Sequence, residues 1–178
     1  MKPPSNQSTG CCSRVLSQQF GFADSSNPII IRYGGGPSGA AFFLTVANKN
    51  TYSSITPTAN AWNHIAAVSE LGTWKLYING ALSQTIDVNT IGSSTALTNT
   101  NFAIGGSWDN SGERFSGKIS NFRYVRGSAL YTAPFTPSRI ALTAVSGTEL
   151  LLSTAYDGTL TTAQLDGSAT PRTASVNG

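Results

Sequence analysis

The clearest structural signal in this chain of 178 residues is the hairpin Trp74-Lys75-Leu76-Tyr77-Ile78-Asn79-Gly80-Ala81-Leu82-Ser83-Gln84-Thr85-Ile86. Asn-Gly supplies the two residues of positive φ that a type I′ turn requires, and the flanking segments alternate apolar with polar residues. This alternation predicts two antiparallel strands in a sheet with one dry and one wetter side. Trp74 belongs to the dry side, so we expect it in the core, and Tyr77 belongs to the wetter side.

Short runs rich in Val, Ile, Phe, Tyr and Thr recur along the chain at the spacing of a β-sandwich or barrel. Turn residues separate them, and no run has the apolar period of a long helix. We interpret Gly34-Gly35-Gly36 as one of these turns. The predicted strands are residues 15–20, 29–33, 41–47, 62–69, 73–79, 82–88, 101–105, 115–125 and 148–153.

The strand predicted at 115–125 carries two apolar pairs of different parity, Phe115 with Ile119 and Phe122 with Tyr124. One extra residue near Ser120-Asn121 would turn both pairs inward, so we predict a β-bulge there. The following residues, 126–137, contain a capping serine and end in two prolines. They predict one short helical turn and then an irregular crossing.

The composition favours strands and turns and argues against two classes of partner. Apolar residues make up 39% of the chain and charged residues only 11%, and the net charge of +3 is spread thinly. Because no Lys/Arg cluster is present to follow a phosphate backbone, we expect no nucleic acid partner. Because no apolar run is long enough to span a membrane and no secretory signal is visible, we expect no membrane partner either.

We divide the chain into a flexible leader or linker at 1–13, a β-sandwich at 14–153 and a Ser/Thr/Gly-rich tail at 154–178. The tail is either a linker or adds an edge strand at 172–176. Cys11-Cys12 are neighbours, and adjacent cysteines rarely reach disulfide geometry with each other. We expect reduced thiols there; pairing with another chain or binding of a soft metal are the alternatives.

One loop, residues 107–113, concentrates side chains suited to contacting a ligand. It places Trp108 beside Asp109 and Asn110, a combination that stacks on a pyranose ring and hydrogen-bonds its hydroxyls. These three residues and Arg114 are the predicted ligand-binding residues. Calcium binding through the oxygens of the loop is a second interpretation, although carboxylates are few and lack the EF-hand spacing. The same residues also suit a plain solvated turn, which is the simplest interpretation of the loop.

We predict no catalytic residue, no cofactor and no resident metal. Retaining glycoside hydrolysis needs two carboxylates about 5 to 5.5 Å apart. The closest acids in the sequence, Asp109 and Glu113, would lie roughly 13 Å apart along a strand. His64 is the single histidine, and no nucleophile motif surrounds it, so we expect it to hydrogen-bond a neighbouring strand or loop.

Four segments resemble the laminin G-like, concanavalin A-like modules of bacteriophage virion proteins and of many extracellular proteins. They are Trp62-Asn63-His64-Ile65-Ala66-Ala67-Val68, Lys75-Leu76-Tyr77-Ile78-Asn79-Gly80, Phe102-Ala103-Ile104-Gly105-Gly106 and Gly117-Lys118-Ile119-Ser120-Asn121-Phe122-Arg123-Tyr124. Three further segments are similar to the form common in tailed phages: Ala129-Leu130-Tyr131, Phe135-Thr136-Pro137 and Gly147-Thr148-Glu149-Leu150-Leu151-Leu152.

The resemblance implies an all-β fold, an antiparallel two-sheet β-sandwich of the jelly-roll type. It implies a non-catalytic structural module of the virion, in capsid decoration or a tail fibre. Its partners would be other virion subunits, copies of itself in a homo-oligomer and cell-surface glycans. A soluble lectin-like carbohydrate-binding protein is the alternative, and a glycoside hydrolase is the third.

The beginning of the domain departs from this resemblance. Such modules usually open with a strand or two that pair with the last strand, whereas few residues precede Val15 here. Either another chain supplies the first strands, or the domain is trimmed and leaves an edge to be covered. Both alternatives imply assembly.

Overall fold

The computed structural model describes residues 13–19, 29–36, 39–46, 49–87, 101–106 and 114–152. Every regular element in these ranges is a strand, so none of them is a helix able to cross a membrane. The strands are β1 Ser13–Gln19, β2 Ile29–Gly36, β3 Gly39–Val46, β4 Lys49–Tyr52, β5 Ile65–Glu70, β6 Thr73–Ile78, β7 Ala81–Asp87, β8 Asn101–Ile104, β9 Phe122–Val125 and β10 Thr148–Leu152.

The chain divides into two compact units. The first comprises Met1–Lys118 with Tyr131–Thr136; it holds a five-stranded sheet in the order β4-β3-β2-β1-β8 and a three-stranded sheet in the order β5-β6-β7. The second comprises Ile119–Leu130 with Pro137–Gly178; it holds a two-stranded sheet of β9 and β10. All the strand pairs are antiparallel, and the all-β fold class is as predicted.

The centre of the five-stranded sheet is buried on both of its faces. One face of β2 and β3 carries six side chains that are at most 6% exposed: Ile29, Ile31, Tyr33, Phe42, Leu44 and Val46. On the opposite face Ile30, Phe43 and Thr45 are also buried. A strand covered on both faces needs apolar residues without alternation, which explains the run Ile29-Ile30-Ile31.

The predicted hairpin is confirmed. Asn79 and Gly80 have φ of 52° and 82°, and Trp74 is only 7% exposed. The prediction of a wetter side was wrong for Tyr77, which is fully buried because the ring of Phe135 packs against it at 5.6 Å between centroids. β6 is therefore buried on both of its faces, with Trp74 on one and Tyr77 on the other.

Three other predictions about the first unit need correction. Gly34-Gly35-Gly36 is the end of β2, paired with β3, and not a turn. The strand predicted at 62–69 begins only at Ile65, because Asn63 is turned inward to bind loop backbone. The short strand β4 was not predicted at all, since Lys49-Asn50-Thr51-Tyr52 has no apolar alternation.

In the second unit the strand predicted at 115–125 is reduced to β9. Asn121 has φ of 53°, so the chain turns out of extended geometry next to the predicted bulge, and pairing begins at Phe122. The bulge is instead on β10, between Thr148 and Leu150. Gly147 precedes it with φ of 80°, and a Cβ there would collide with the carbonyl of Arg126.

Residues 126–137 contain bends and no helical turn, so that prediction was wrong. The first strand is not an edge, because β1 pairs with β2 on one side and β8 on the other. Strand addition from another chain stays a prediction. The leader with Cys11-Cys12 and the tail with its proposed strand at 172–176 lie outside the described residues, apart from Ser13, where β1 begins.

Candidate functional site

The predicted ligand loop is fixed at both of its ends. The backbone N–H of Phe115 donates to the carbonyl of Gly105 at 2.9 Å. The buried ring of Phe115 meets Tyr33 edge-on at 6.4 Å between centroids. Arg114 lies exposed at the base of the loop. The interior of the loop, with the proposed calcium ligands of 107–113, lies outside the described residues, as do Trp108, Asp109 and Asn110.

A second surface forms where residues Tyr131–Thr136, here called the crossing, pass over the three-stranded sheet. The backbone N–H of Phe135 donates to the carbonyl of Gly80 at 2.9 Å. The Nζ of Lys75 donates to the carbonyl of Thr132 at 3.3 Å. Because these two bonds reach the hairpin turn and the middle of β6, the crossing is tied to the sheet at two separated points.

Aromatic rings fill the space between the crossing and the sheet. Tyr131 and Phe135 stack face to face, with 3.7 Å between centroids and 8° between planes. The His64 ring meets Phe135 edge-on at 5.3 Å and Tyr131 edge-on at 6.1 Å. Edge-on contacts align the positive edge of one ring with the negative face of the next, so they fix the relative orientation of the rings in addition to burying apolar surface.

A buried amide positions the chain that leads into β5. Asn63 is 1% exposed, and its Nδ2 donates to the carbonyls of Thr58 and Ala61 at 2.9 and 3.0 Å. Its Oδ1 accepts from the N–H of Thr58 at 3.1 Å and from Nδ2 of Asn79 at 3.3 Å. The loop before β5 is thereby joined to the β6–β7 turn.

The turn also holds His64 directly. The N–H of His64 donates to Oδ1 of Asn79 at 2.8 Å, and the N–H of Asn79 donates to the carbonyl of His64 at 2.8 Å. Both bonds are made by the backbone of His64, so the hydrogen bond that we expected of its side chain stays a prediction.

An apolar side chain of β7 remains exposed beside this cluster. Leu82 is 44% exposed. Leu82 pairs with Tyr77 in the β6–β7 register, which puts it on the face that the crossing covers. We call the group of Leu82, Tyr131, Pro134 and Phe135 the crossing surface. None of its members is charged.

Two of the described carboxylates are in ion pairs. Glu70 pairs with Lys75 at 3.4 Å, and Glu149 pairs with Arg126 at 3.6 Å. Among the described residues no three His, Cys, Asp or Glu side chains lie close enough together to hold a metal ion. Burial raises the pKa of the Tyr33 hydroxyl above its ordinary value, because the phenolate is poorly solvated there.

Comparison with known families agrees with this architecture. A family model described as the concanavalin A-like lectin/glucanases superfamily matches residues 1–141. The chain belongs to the concanavalin A-like superfamily. No curated protein and no solved structure gives a significant match.

The concanavalin A-like match contains both surfaces described above, the loop at 107–113 and the crossing, and it ends before β10. Sequence reasoning used Tyr131 and Phe135 to support the resemblance but did not predict that they form a surface. Their spacing of four residues, followed by a proline, was the available signal. That Leu82 lies on the same face depends on the register of β6 and β7, which the sequence does not state.

Proposed function

We propose that this concanavalin A-like chain is a non-catalytic structural and interaction module of a bacteriophage virion. It decorates the capsid or forms part of a tail fibre, where it contacts neighbouring subunits and host cell-surface glycans. The crossing surface is the observation that carries the interaction role. Exposed aromatic and aliphatic side chains, oriented by buried contacts, are typical of protein and ligand interfaces.

The virion assignment rests on the similarity of residues 129–131, 135–137 and 147–152 to the form of this module that is common in tailed phages. Low charge and many small polar residues suit a subunit packed against its neighbours. The test is the location of the chain in purified particles, by antibody labelling in electron microscopy. Labelling at regular positions on capsid or tail is expected, and particles that assemble without the chain and infect normally would contradict the proposal.

A soluble lectin-like role is the second candidate, favoured by the predicted loop residues Trp108, Asp109 and Asn110 and by the fixed ends of that loop. A glycan array distinguishes the two roles. Binding that Trp108→Ala abolishes and Trp62→Ala preserves would assign the sugar to the loop. If no glycan binds, the structural role stands without the glycan contact.

The proposal includes no catalysis and no cofactor. We expect no turnover of β-glucans, and we expect a chelator to leave the thermal midpoint unchanged. Turnover that disappears in Asp109→Asn or Glu113→Gln would establish the hydrolase alternative. A midpoint that calcium raises and Asp109→Asn lowers would assign calcium to the 107–113 loop.

A further inference from the structure

The turn between β6 and β7 contains a pair of residues that can react with each other. Asparagine is among the thermolabile residues of proteins, and Asn79 is followed by Gly80, whose backbone nitrogen no side chain shields. This nitrogen attacks Cγ of the asparagine side chain, a C–N bond forms, and its proton leaves with the amide nitrogen as ammonia. Water then opens the resulting cyclic succinimide at either carbonyl and gives aspartate or isoaspartate.

The turn meets two requirements of this chemistry. Asn79 is exposed, so water reaches its side chain. The pair that closes the turn is Ile78 with Ala81, so the N–H of Gly80 is not part of the ladder between β6 and β7. The reactive amide therefore lies at the surface, next to a nitrogen outside the ladder.

The backbone conformation of the turn opposes ring closure. Asn79 has φ of 52° and Gly80 has φ of 82°, both in the left-handed region that a type I′ turn requires. In this conformation the Cβ of a residue lies nearly opposite the nitrogen of the next residue, whereas the succinimide ring needs both on the same side. The peptide between Asn79 and Gly80 must therefore rotate out of the turn before the ring can close.

Four hydrogen bonds resist that rotation. Oδ1 of Asn79 accepts from the N–H of His64 at 2.8 Å, and the N–H of Asn79 donates to the carbonyl of His64 at 2.8 Å. Nδ2 of Asn79 donates to Oδ1 of Asn63 at 3.3 Å. The carbonyl of Gly80 accepts from the N–H of Phe135 at 2.9 Å. The bond to Oδ1 draws electrons from Cγ and would by itself favour attack, so these bonds protect through geometry.

We propose that Asn79 is a site of spontaneous modification to aspartate and isoaspartate, and that Asn63 controls its rate as a positioning residue. Asn63 is 1% exposed, and its other bonds hold the backbone of Thr58 and Ala61. It thereby fixes the chain that enters His64, the main partner of Asn79. Local opening of the turn limits the modification. The inference goes beyond the proposed function and does not depend on it.

The two products have different consequences for the fold. Aspartate leaves the main chain unchanged and keeps an oxygen that accepts from the N–H of His64. Isoaspartate adds a methylene to the main chain of a two-residue turn, so it disturbs the pairing of β6 with β7. It also displaces the carbonyl of Gly80 that holds the crossing at Phe135.

Peptide mass spectrometry of the purified full chain, incubated at mildly alkaline pH, tests the proposal. Fragmentation locates the replacement of the amide by a carboxyl at Asn79. We expect the folded wild type to convert at least about tenfold more slowly than the chain unfolded in urea, because each conversion requires the turn to open. Without urea, we expect Asn63→Ala to convert at least about tenfold faster than wild type, because its lost hydrogen bonds together exceed the free energy of a tenfold change.

Two control variants separate the role of Asn63 from a general loss of stability. Asn50→Ala removes an exposed asparagine of β4, and we expect conversion at the wild-type rate. Leu44→Ala empties a site of 0% exposure in the five-stranded sheet and destabilises the whole unit. We expect it also to leave the rate unchanged, because local opening does not require global unfolding. Equal acceleration by Leu44→Ala and Asn63→Ala would overturn the proposal.

The wild type provides a test that depends on no variant. We expect the conversion rate to be insensitive to urea below the unfolding transition, since a local opening exposes little surface. A rate that rises with urea along the slope of global unfolding would contradict the role of the turn. A folded wild type that converts as fast as the unfolded chain, or an unfolded chain that keeps Asn79 intact, would also overturn the proposal.

Discussion

Replacing Asn63 by alanine tests whether a single buried amide organises the loop before β5. The substitution removes three hydrogen bonds of 2.9 to 3.1 Å to the backbone of Thr58 and Ala61, and a longer one of 3.3 Å to Asn79. Each of the three short bonds contributes about 1 kcal/mol net, because water partly replaces the lost partner. We therefore expect the free energy of unfolding to fall by about 3 kcal/mol.

The assay is urea-induced unfolding monitored by tryptophan fluorescence. The slope m, of unfolding free energy against urea concentration, is compared between variants to check two-state behaviour. Asn63→Ala shifts the urea midpoint downward at unchanged m. Its thermal midpoint falls by about 6 to 12 °C, from the usual relation between stability and melting temperature in a domain of this size.

Two control variants test whether the loss of stability comes from the lost hydrogen bonds. One keeps the side-chain volume of Asn63, and the other removes a different asparagine. Asn63→Asp keeps the volume and the Oδ1 acceptor but loses the Nδ2 donor and buries a charge, so it is expected to destabilise at least as much. Asn50→Ala removes an exposed amide on edge strand β4 that bonds Thr45, and we expect a loss under about 1 kcal/mol. An Asn63→Ala chain no less stable than Asn50→Ala would refute the reasoning.

Four further substitutions give predictions of different sign. Leu71 has φ of 47°, so Leu71→Asn relieves about 1 kcal/mol of backbone strain and raises the thermal midpoint by about 2 to 4 °C in calorimetry; a lower midpoint would mean that the turn is unstrained. Leu76→Ala, at a site with 0% exposure, lowers unfolding free energy by about 2 to 5 kcal/mol, whereas Leu82→Ala lowers it by under about 1 kcal/mol in the same urea titration. Burial raises the pKa of Tyr33, so the folded state holds this proton more tightly than the unfolded chain. Its stability contribution is complete below about pH 10 and is lost as pH rises through the folded pKa, and Tyr33→Phe flattens that alkaline loss.

In the first unit, the pattern of neighbouring residues predicted some structural features and missed others. Asn79-Gly80 predicted its turn because two adjacent residues fix the backbone, and Trp74 was assigned to the core by parity alone. β4 was missed because an edge strand needs no apolar alternation. Gly34-Gly35-Gly36 was interpreted as a turn because glycine is common there; pairing with β3 keeps it extended instead.

Less of the candidate site could be predicted from the sequence. The loop at 107–113 was chosen for its chemistry, and the structure adds the bond between Phe115 and Gly105 that fixes its ends. The crossing surface could not be predicted, because it brings together a residue of β7 and a segment more than fifty positions after Tyr77.

The sequence by itself determined the all-β class, most strand positions and the inward face of β6, because alternation and turn propensity reside in neighbouring residues. Only the tertiary structure decided that Tyr77 is buried, that β1 lies inside its sheet, and that the crossing is bonded to β6 and its turn. These features depend on which distant segments cover which faces. A local pattern states which side of a strand is apolar, but it does not state what packs against it.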